Sequence, residues 1–205
     1  MLSNMKITEF LAATSSDAPV PGGGSVAALS AAIASSLTEM VANLTIGKKG
    51  YEEVQDEMKA ISEKMSAYTP KFVDFIDKDA SSFDDVMKAF KLPKETDEEK
   101  AARTAAIQNG MKLAANVPLE TAQAAMEILG MIEAVVVKGN SNAVTDGAVA
   151  AMMTRTAVLS ALYNVKINLG SIKDAEYVEK AAAEVARIEK EVVEIEARIL
   201  SQVKL

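Results

Sequence analysis

Four polar groupings stand out from an alanine-rich chain, and each has a chemistry that its residue types could support. Asp79, in Asp77-Lys78-Asp79-Ala80, falls four residues after Phe75, close to the side of a helix that Phe72, Phe75, Ile76 and Phe83 mark as buried. A carboxyl group drawn into that apolar surface gains proton affinity and suits general acid or base work, whereas an aspartate that only caps a helix or pairs with lysine is the plainer alternative. Asn140, Asn142, Thr145 and Asp146 cluster in Gly139-Asn140-Ser141-Asn142-Ala143-Val144-Thr145-Asp146-Gly147. Asn142 or Thr145 would make a good helix cap. Together, Asn140, Asn142 and Asp146 offer amide donors, amide acceptors and a carboxylate to a heterocycle with its own polar edge. Pro21-Gly22-Gly23-Gly24-Ser25 opens a helix, where unpaired amides and the absence of Cβ atoms suit an anion, although the same residues also serve to turn a corner. Lys48 and Lys49 stand between Gly47 and Gly50, at the negative end of that helix.

The remaining composition narrows the chemistry. There is no histidine and no cysteine, so disulfides, thiolate catalysis, histidine triads and the usual zinc sites are excluded together. Acid or base work falls to Asp, Glu, Lys, Tyr or the substrate, with no metal or cofactor expected. A net charge of −7 argues against a nucleic-acid partner bound through its phosphates. Glu9 interrupts the N-terminal stretch where a secretory signal needs an unbroken apolar core, so a cytoplasmic protein is expected. The most apolar segments, around residues 26–37 and 135–162, carry Ser, Asn, Lys, Asp or Arg and read as buried helices rather than membrane spans.

The elements that must position these groups are all helices, because apolar residues recur at three- and four-residue steps and no alternating run is bounded by hairpin turns. At 205 residues, 49% of them apolar, one domain with a sizeable core is expected. The periodicity predicts helices over about 6–13, 25–45 and 51–90, the last with a kink or break at Pro70. A fourth opens after Thr96 with Glu98 and Glu99 in its first turn, and Pro118 restarts or bends it before a segment over 119–137. Two more cover 143–168 and the stretch after Asp174. In the last, Val178, Ala181, Val185, Ile188, Val192, Ile195 and Ile199 form a heptad-like seam that suits packing within the chain or against a second copy. Ala27, Ala31, Ala34, Ser35 and Thr38 would let other helices approach the second one closely.

Six segments in order carry a resemblance: PVPGGGSVAAL, LTIGKKGYEEV, DKDASSFDDVMKAFKLPK, AANVPLETA, GNSNAVTDGAVAA and ALYNVKINLGSIKD. The chain is similar, over about residues 6–175, to the cyclodeaminase/cyclohydrolase family. That family comprises the C-terminal half of formiminotransferase-cyclodeaminase and stand-alone methenyltetrahydrofolate cyclohydrolases. The resemblance implies an all-helical multihelical bundle, paired as a homodimer, that binds a tetrahydrofolate one-carbon derivative. It implies hydrolysis of 5,10-methenyltetrahydrofolate to 10-formyltetrahydrofolate, or cyclodeamination of 5-formiminotetrahydrofolate to the methenyl compound with loss of ammonia. Pro21, Gly22, Gly23, Gly24, Ser25, Lys48, Asp79, Asn140, Asn142 and Asp146 match its polar blocks. Thr145 stands where relatives often have Ser.

On this footing Asp79 and Asp146 are the expected catalytic residues. The glycine loop, Lys48, Asn140 and Asn142 are the expected substrate-binding ones. A carboxylate would stabilise the amidinium-like cation that folate chemistry at N5 and N10 passes through, and could take a proton from attacking water. The absent formiminotransferase half tilts the reading towards the cyclohydrolase. A non-catalytic helical dimer that binds folate or a protein is the alternative of another class.

Overall fold

The computed structural model describes residues Met1–Leu205 as six α-helices and three short 3₁₀ turns, with no strand. The helices are α1 (Ile7–Thr14), α2 (Gly23–Asn43), α3 (Gln55–Phe90), α4 (Asp97–Lys138), α5 (Val144–Leu169) and α6 (Ala175–Ser201). The all-α expectation holds, and local chemistry explains the boundaries. Thr96 caps α4 in a reciprocal box with Glu99, and Asp174 caps α6 by accepting from the Tyr177 amide at 3.1 Å. Gly47 and Gly50, both at positive φ, turn the chain between α2 and the turn at Glu52–Val54.

Of the alternatives at the two prolines, the break at Pro70 and the restart at Pro118 are not found, since α3 and α4 run unbroken through both. A proline inside a helix leaves the carbonyl four residues back without its amide donor. For Pro118 that carbonyl is Ala114 O, and the Asn168 side chain of α5 supplies the missing donor at 2.8 Å. For Pro70 it is the carbonyl of Ser66, an exposed residue open to water.

α2 and α5 lie antiparallel, since Asn164 of α5 meets Gly23 at the start of α2 and Asn140, just ahead of α5, meets Thr45 just after it. α3 flanks α2, α6 flanks α5, and α4 packs against all four from behind. Ala27, Ala31, Ala34, Ser35 and Thr38 are fully buried, so the small residues of α2 serve close approach within the chain. The α6 seam is likewise internal, with Ala181, Val185, Ile188, Val192 and Ile199 buried. α2 is long and apolar enough to cross a bilayer, yet most of it is packed inside the bundle.

The uncovered seams are elsewhere. With α4 behind them, α2 and α5 turn their open rows to one side of the molecule. Val26, Ile33, Met40 and Leu44 are exposed on α2, and Val149, Met152, Tyr163 and Ile167 on α5, the last two at 69% and 75%. Residues 26, 33 and 40 are spaced by sevens, the repeat of a helix that packs lengthwise on another.

Candidate functional site

Asp79 comes to the N-terminus of α2. Its Oδ2 accepts from Ser25 Oγ at 2.9 Å, the Ser25 amide also donates to the carboxylate, and Ser25 is fully buried with its hydroxyl 3.2 Å from Ile76 O. The glycine loop and Asp79 are therefore one site. The anion that the loop meets within the chain is a carboxylate of its own. Gly24 makes this seat possible. A Cβ there would fall 2.0 Å from Asp79 Oδ1 and 2.5 Å from its Cγ, so a side chain and the carboxylate cannot both be present. Pro21 is buried beneath the loop, Gly22 caps α2, and Gly23 begins it at the surface.

Burial pushes the Asp79 carboxyl above its ordinary pKa, opposed by the two hydrogen bonds from Ser25, and no cation contributes. Proton affinity is thereby raised, while the donors keep the carboxylate aimed. Such a group holds a proton more readily than a surface aspartate. Phe83, one turn beyond, is 37% exposed rather than buried, because α2 ends before reaching it.

Lys48, Asn140 and Asn142 form a second cluster at the far end of α2. Asn140 is its hub. Its Oδ1 accepts from Lys48 Nζ and from the Asn142 amide at 3.1 Å, its Nδ2 donates to Leu44 O at 3.1 Å, and its own amide donates to Thr45 Oγ1 at 2.8 Å. Asn140 is thus the cap of the Ser141–Ala143 turn that leads into α5, and the capping role expected of Asn142 or Thr145 belongs to it. Both of those side chains are exposed. The Tyr51 hydroxyl accepts from the Ser141 amide at 3.0 Å; this pairing with Ser141, helped by the Lys48 charge, holds the phenol below its ordinary pKa. Asp146 is half-buried in the first turn of α5 and pairs with no lysine or arginine within 4 Å.

Within one chain the two clusters are separated by the 21 residues of α2, about 30 Å at 1.5 Å per residue. Asp79 and Asp146 therefore do not share a site within one chain. They lie near opposite ends of the same exposed α2–α5 face. Asn164 was not anticipated as a site residue. It lies over Gly23, and the signal available was its amide, repeated in Asn168 one turn later on the same helix.

The site is that of an all-helical bundle that seats an aspartate on a glycine-rich helix start, with a lysine–asparagine cluster at the other end. The chain matches the formiminotransferase-cyclodeaminase family model over residues 6–187 and belongs to that family. It is 40% identical to a methenyltetrahydrofolate cyclohydrolase of Methylorubrum extorquens, over all of this chain and 98% of that protein. It is 34% identical to the formimidoyltransferase-cyclodeaminase of Sus scrofa over 84% of this chain, but spans only 32% of that longer protein. The crystal structure of formiminotetrahydrofolate cyclodeaminase from Thermotoga maritima superposes with a TM-score of 0.88 at 31% identity, covering 99% of this chain and 98% of that one.

Proposed function

We propose that this protein is an enzyme of folate one-carbon chemistry that hydrolyses 5,10-methenyltetrahydrofolate to 10-formyltetrahydrofolate. The observation that carries the reading is Asp79: a carboxylate of raised proton affinity, aimed by Ser25 and seated on Gly24, in a chain without histidine or cysteine. The full-length similarity to a cyclohydrolase supports the choice of reaction.

The substrate holds a cationic N5–C–N10 bridge. A negative Asp79 stabilises that charge and takes one proton from the water that attacks the bridge carbon. The C–O bond forms and a neutral hydroxyl adduct results. Breaking the C–N5 bond then leaves the formyl group on N10, with the hydroxyl proton lost and a proton gained by N5. Asp79 is the group placed to return that proton. One proton is released in the net reaction. Chromatography of the product tests this: formyl on N10 supports cleavage at N5, and formyl on N5 contradicts it.

Cyclodeamination of 5-formiminotetrahydrofolate is the second reading, favoured by the likeness to the Thermotoga maritima structure. The same carboxyl group, as an acid, would protonate the departing ammonia. The exposed α2–α5 face supports a homodimer in either case. A two-fold axis perpendicular to α2 and α5 would lay Asp79 of one copy beside Lys48, Asn140 and Asn142 of the other, whereas an axis along the helices would leave the clusters apart. Mixing Asp79→Asn with Lys48→Met chains tests the arrangement. Assayed at substrate well below KM, where both variants are nearly inactive, random exchange restores about a quarter of wild-type turnover if each site draws on both copies, because half the dimers then hold one intact site. No recovery overturns the shared site.

A further inference from the structure

α5 carries two asparagines one turn apart, and only one is accounted for by the fold. Asn168 Nδ2 donates to the carbonyl that Pro118 leaves bare and to Asn164 O at 3.0 Å. Asn164 Nδ2 donates only to Ser160 O at 2.9 Å, a helical carbonyl four residues back. Its side-chain oxygen has no donor within the chain, although an amide oxygen can accept twice. The residue is half-buried and this oxygen is not among the atoms sealed from solvent, so it stays open to a donor from outside the chain.

Its place suggests the partner. A Cβ built on Gly23 lies 3.2 Å from Asn164 Nδ2 and 3.7 Å from its Oδ1, and on the next residue, Gly24, the Asp79 carboxylate takes the corresponding position. An amide oxygen and a carboxylate therefore flank two successive glycines at the start of one helix, with Gly23 at the surface. A ring lying across these glycines would meet both groups at once. Reduced pterins carry ring and exocyclic N–H donors a few bonds from the one-carbon bridge, and an amide oxygen complements such a donor.

We propose that Asn164 is a substrate-orienting residue: its side-chain oxygen accepts an N–H of the reduced pterin and so holds the one-carbon bridge against Asp79. The proposal rests on the folate reading above and adds to it a residue that fixes which way the ring lies. An orienting contact acts on kcat as well as on KM, because a bridge carbon displaced by about 1 Å reacts far more slowly.

The test uses the full-length protein with Asn164→Ala and Asn164→Asp. Asn164→Ala is expected to lower kcat/KM at least about tenfold, with part of the loss in kcat, and to leave the melting temperature close to wild type. Asn164→Asp sets a second carboxylate beside Asp79. The limb of the kcat/KM profile that reports Asp79 should then move up by about half a pH unit or more. The surroundings of Asp79 favour a clean reading, because Lys78 is paired with Asp74 at 2.7 Å and Asp77 is turned to Leu2 and Ser3. A purely structural asparagine would lower the melting temperature while Asn164→Ala kept wild-type kcat and KM, whereas the limb reports only whether residue 164 faces Asp79. Wild-type turnover with both variants within twofold of it, and an unmoved limb, overturns the role of Asn164 while the folate reading survives. No turnover of either folate by wild type overturns both.

Discussion

Gly24→Ala is the substitution that bears most directly on the seat of Asp79. The added methyl carbon would lie 2.0, 2.5 and 2.8 Å from Oδ1, Cγ and Oδ2. Ordinary contact begins near 3.4 Å, so the carboxylate must retreat by about 1 Å or more, and the helix start, packed on buried Ser25, cannot give way instead. The retreat breaks the bonds from Ser25 Oγ and its amide. Hydrogen bonds to a charged group contribute about 1.5–3 kcal/mol. Alanine in place of helical glycine returns up to about 1 kcal/mol. With two such bonds lost the net is about 2–5 kcal/mol, a fall in melting temperature of about 4–20 °C for a domain of this size. Turnover should suffer more, by about a hundredfold or beyond, since a catalytic group misplaced by about 1 Å loses that much. Gly23→Ala is the internal standard for stability: its Cβ would meet only the end of Asn164, at 3.2 Å, and its effect on the melting temperature should be several-fold smaller. The assay is loss of the methenyl chromophore alongside thermal denaturation. If Gly24→Ala turned over substrate as wild type does, the seat would not matter and the argument for Asp79 would fail.

Other perturbations separate function from stability. Asp79→Asn should abolish turnover and raise the melting temperature at neutral pH. The pKa of Asp79 is raised in the folded state, so its contribution to stability is fully present below the unfolded-state pKa and lost as pH rises through the folded one. The advantage of the variant over wild type should accordingly shrink in acid, where Asp79 is protonated, and an advantage that grew in acid would refute the sign. For Asn168→Ala, which leaves the carbonyl of Ala114 bare, denaturant titration should show a loss of about 1–3 kcal/mol. Adding Pro118→Ala should recover much of it, because the backbone then supplies its own donor; strictly additive effects would contradict that account. Lys48→Met should weaken substrate binding about tenfold or more with little change in melting temperature, read from KM and a thermal scan.

What was legible beforehand follows from how local each signal is. Thr96 and Asp174 announce their helices through cap chemistry that involves only nearby residues, and both caps are in place. The α6 seam was legible as a stripe but not as internal or external, since periodicity states that a face is covered and not by what. Whether Pro118 interrupts its helix was open for the same reason: its cost depends on Asn168, fifty residues away, reaching the orphaned carbonyl. Asp79 and the glycine loop were each visible as candidates, while their union is a long-range fact fixed by the register of α3 against α2. Asn140 as the cap, in place of Asn142 or Thr145, turned on a 3₁₀ turn that composition does not distinguish from the first turn of α5.

The account is tested most directly by offering purified protein 5,10-methenyltetrahydrofolate and 5-formiminotetrahydrofolate side by side, with enzyme-free mixtures and Asp79→Asn as references. The expected result is loss of the methenyl absorbance faster than in the enzyme-free mixture, and no such acceleration with Asp79→Asn. Rise of that absorbance from the formimino compound, with ammonia released and no accelerated hydrolysis, would contradict the cyclohydrolase reading in favour of the cyclodeaminase.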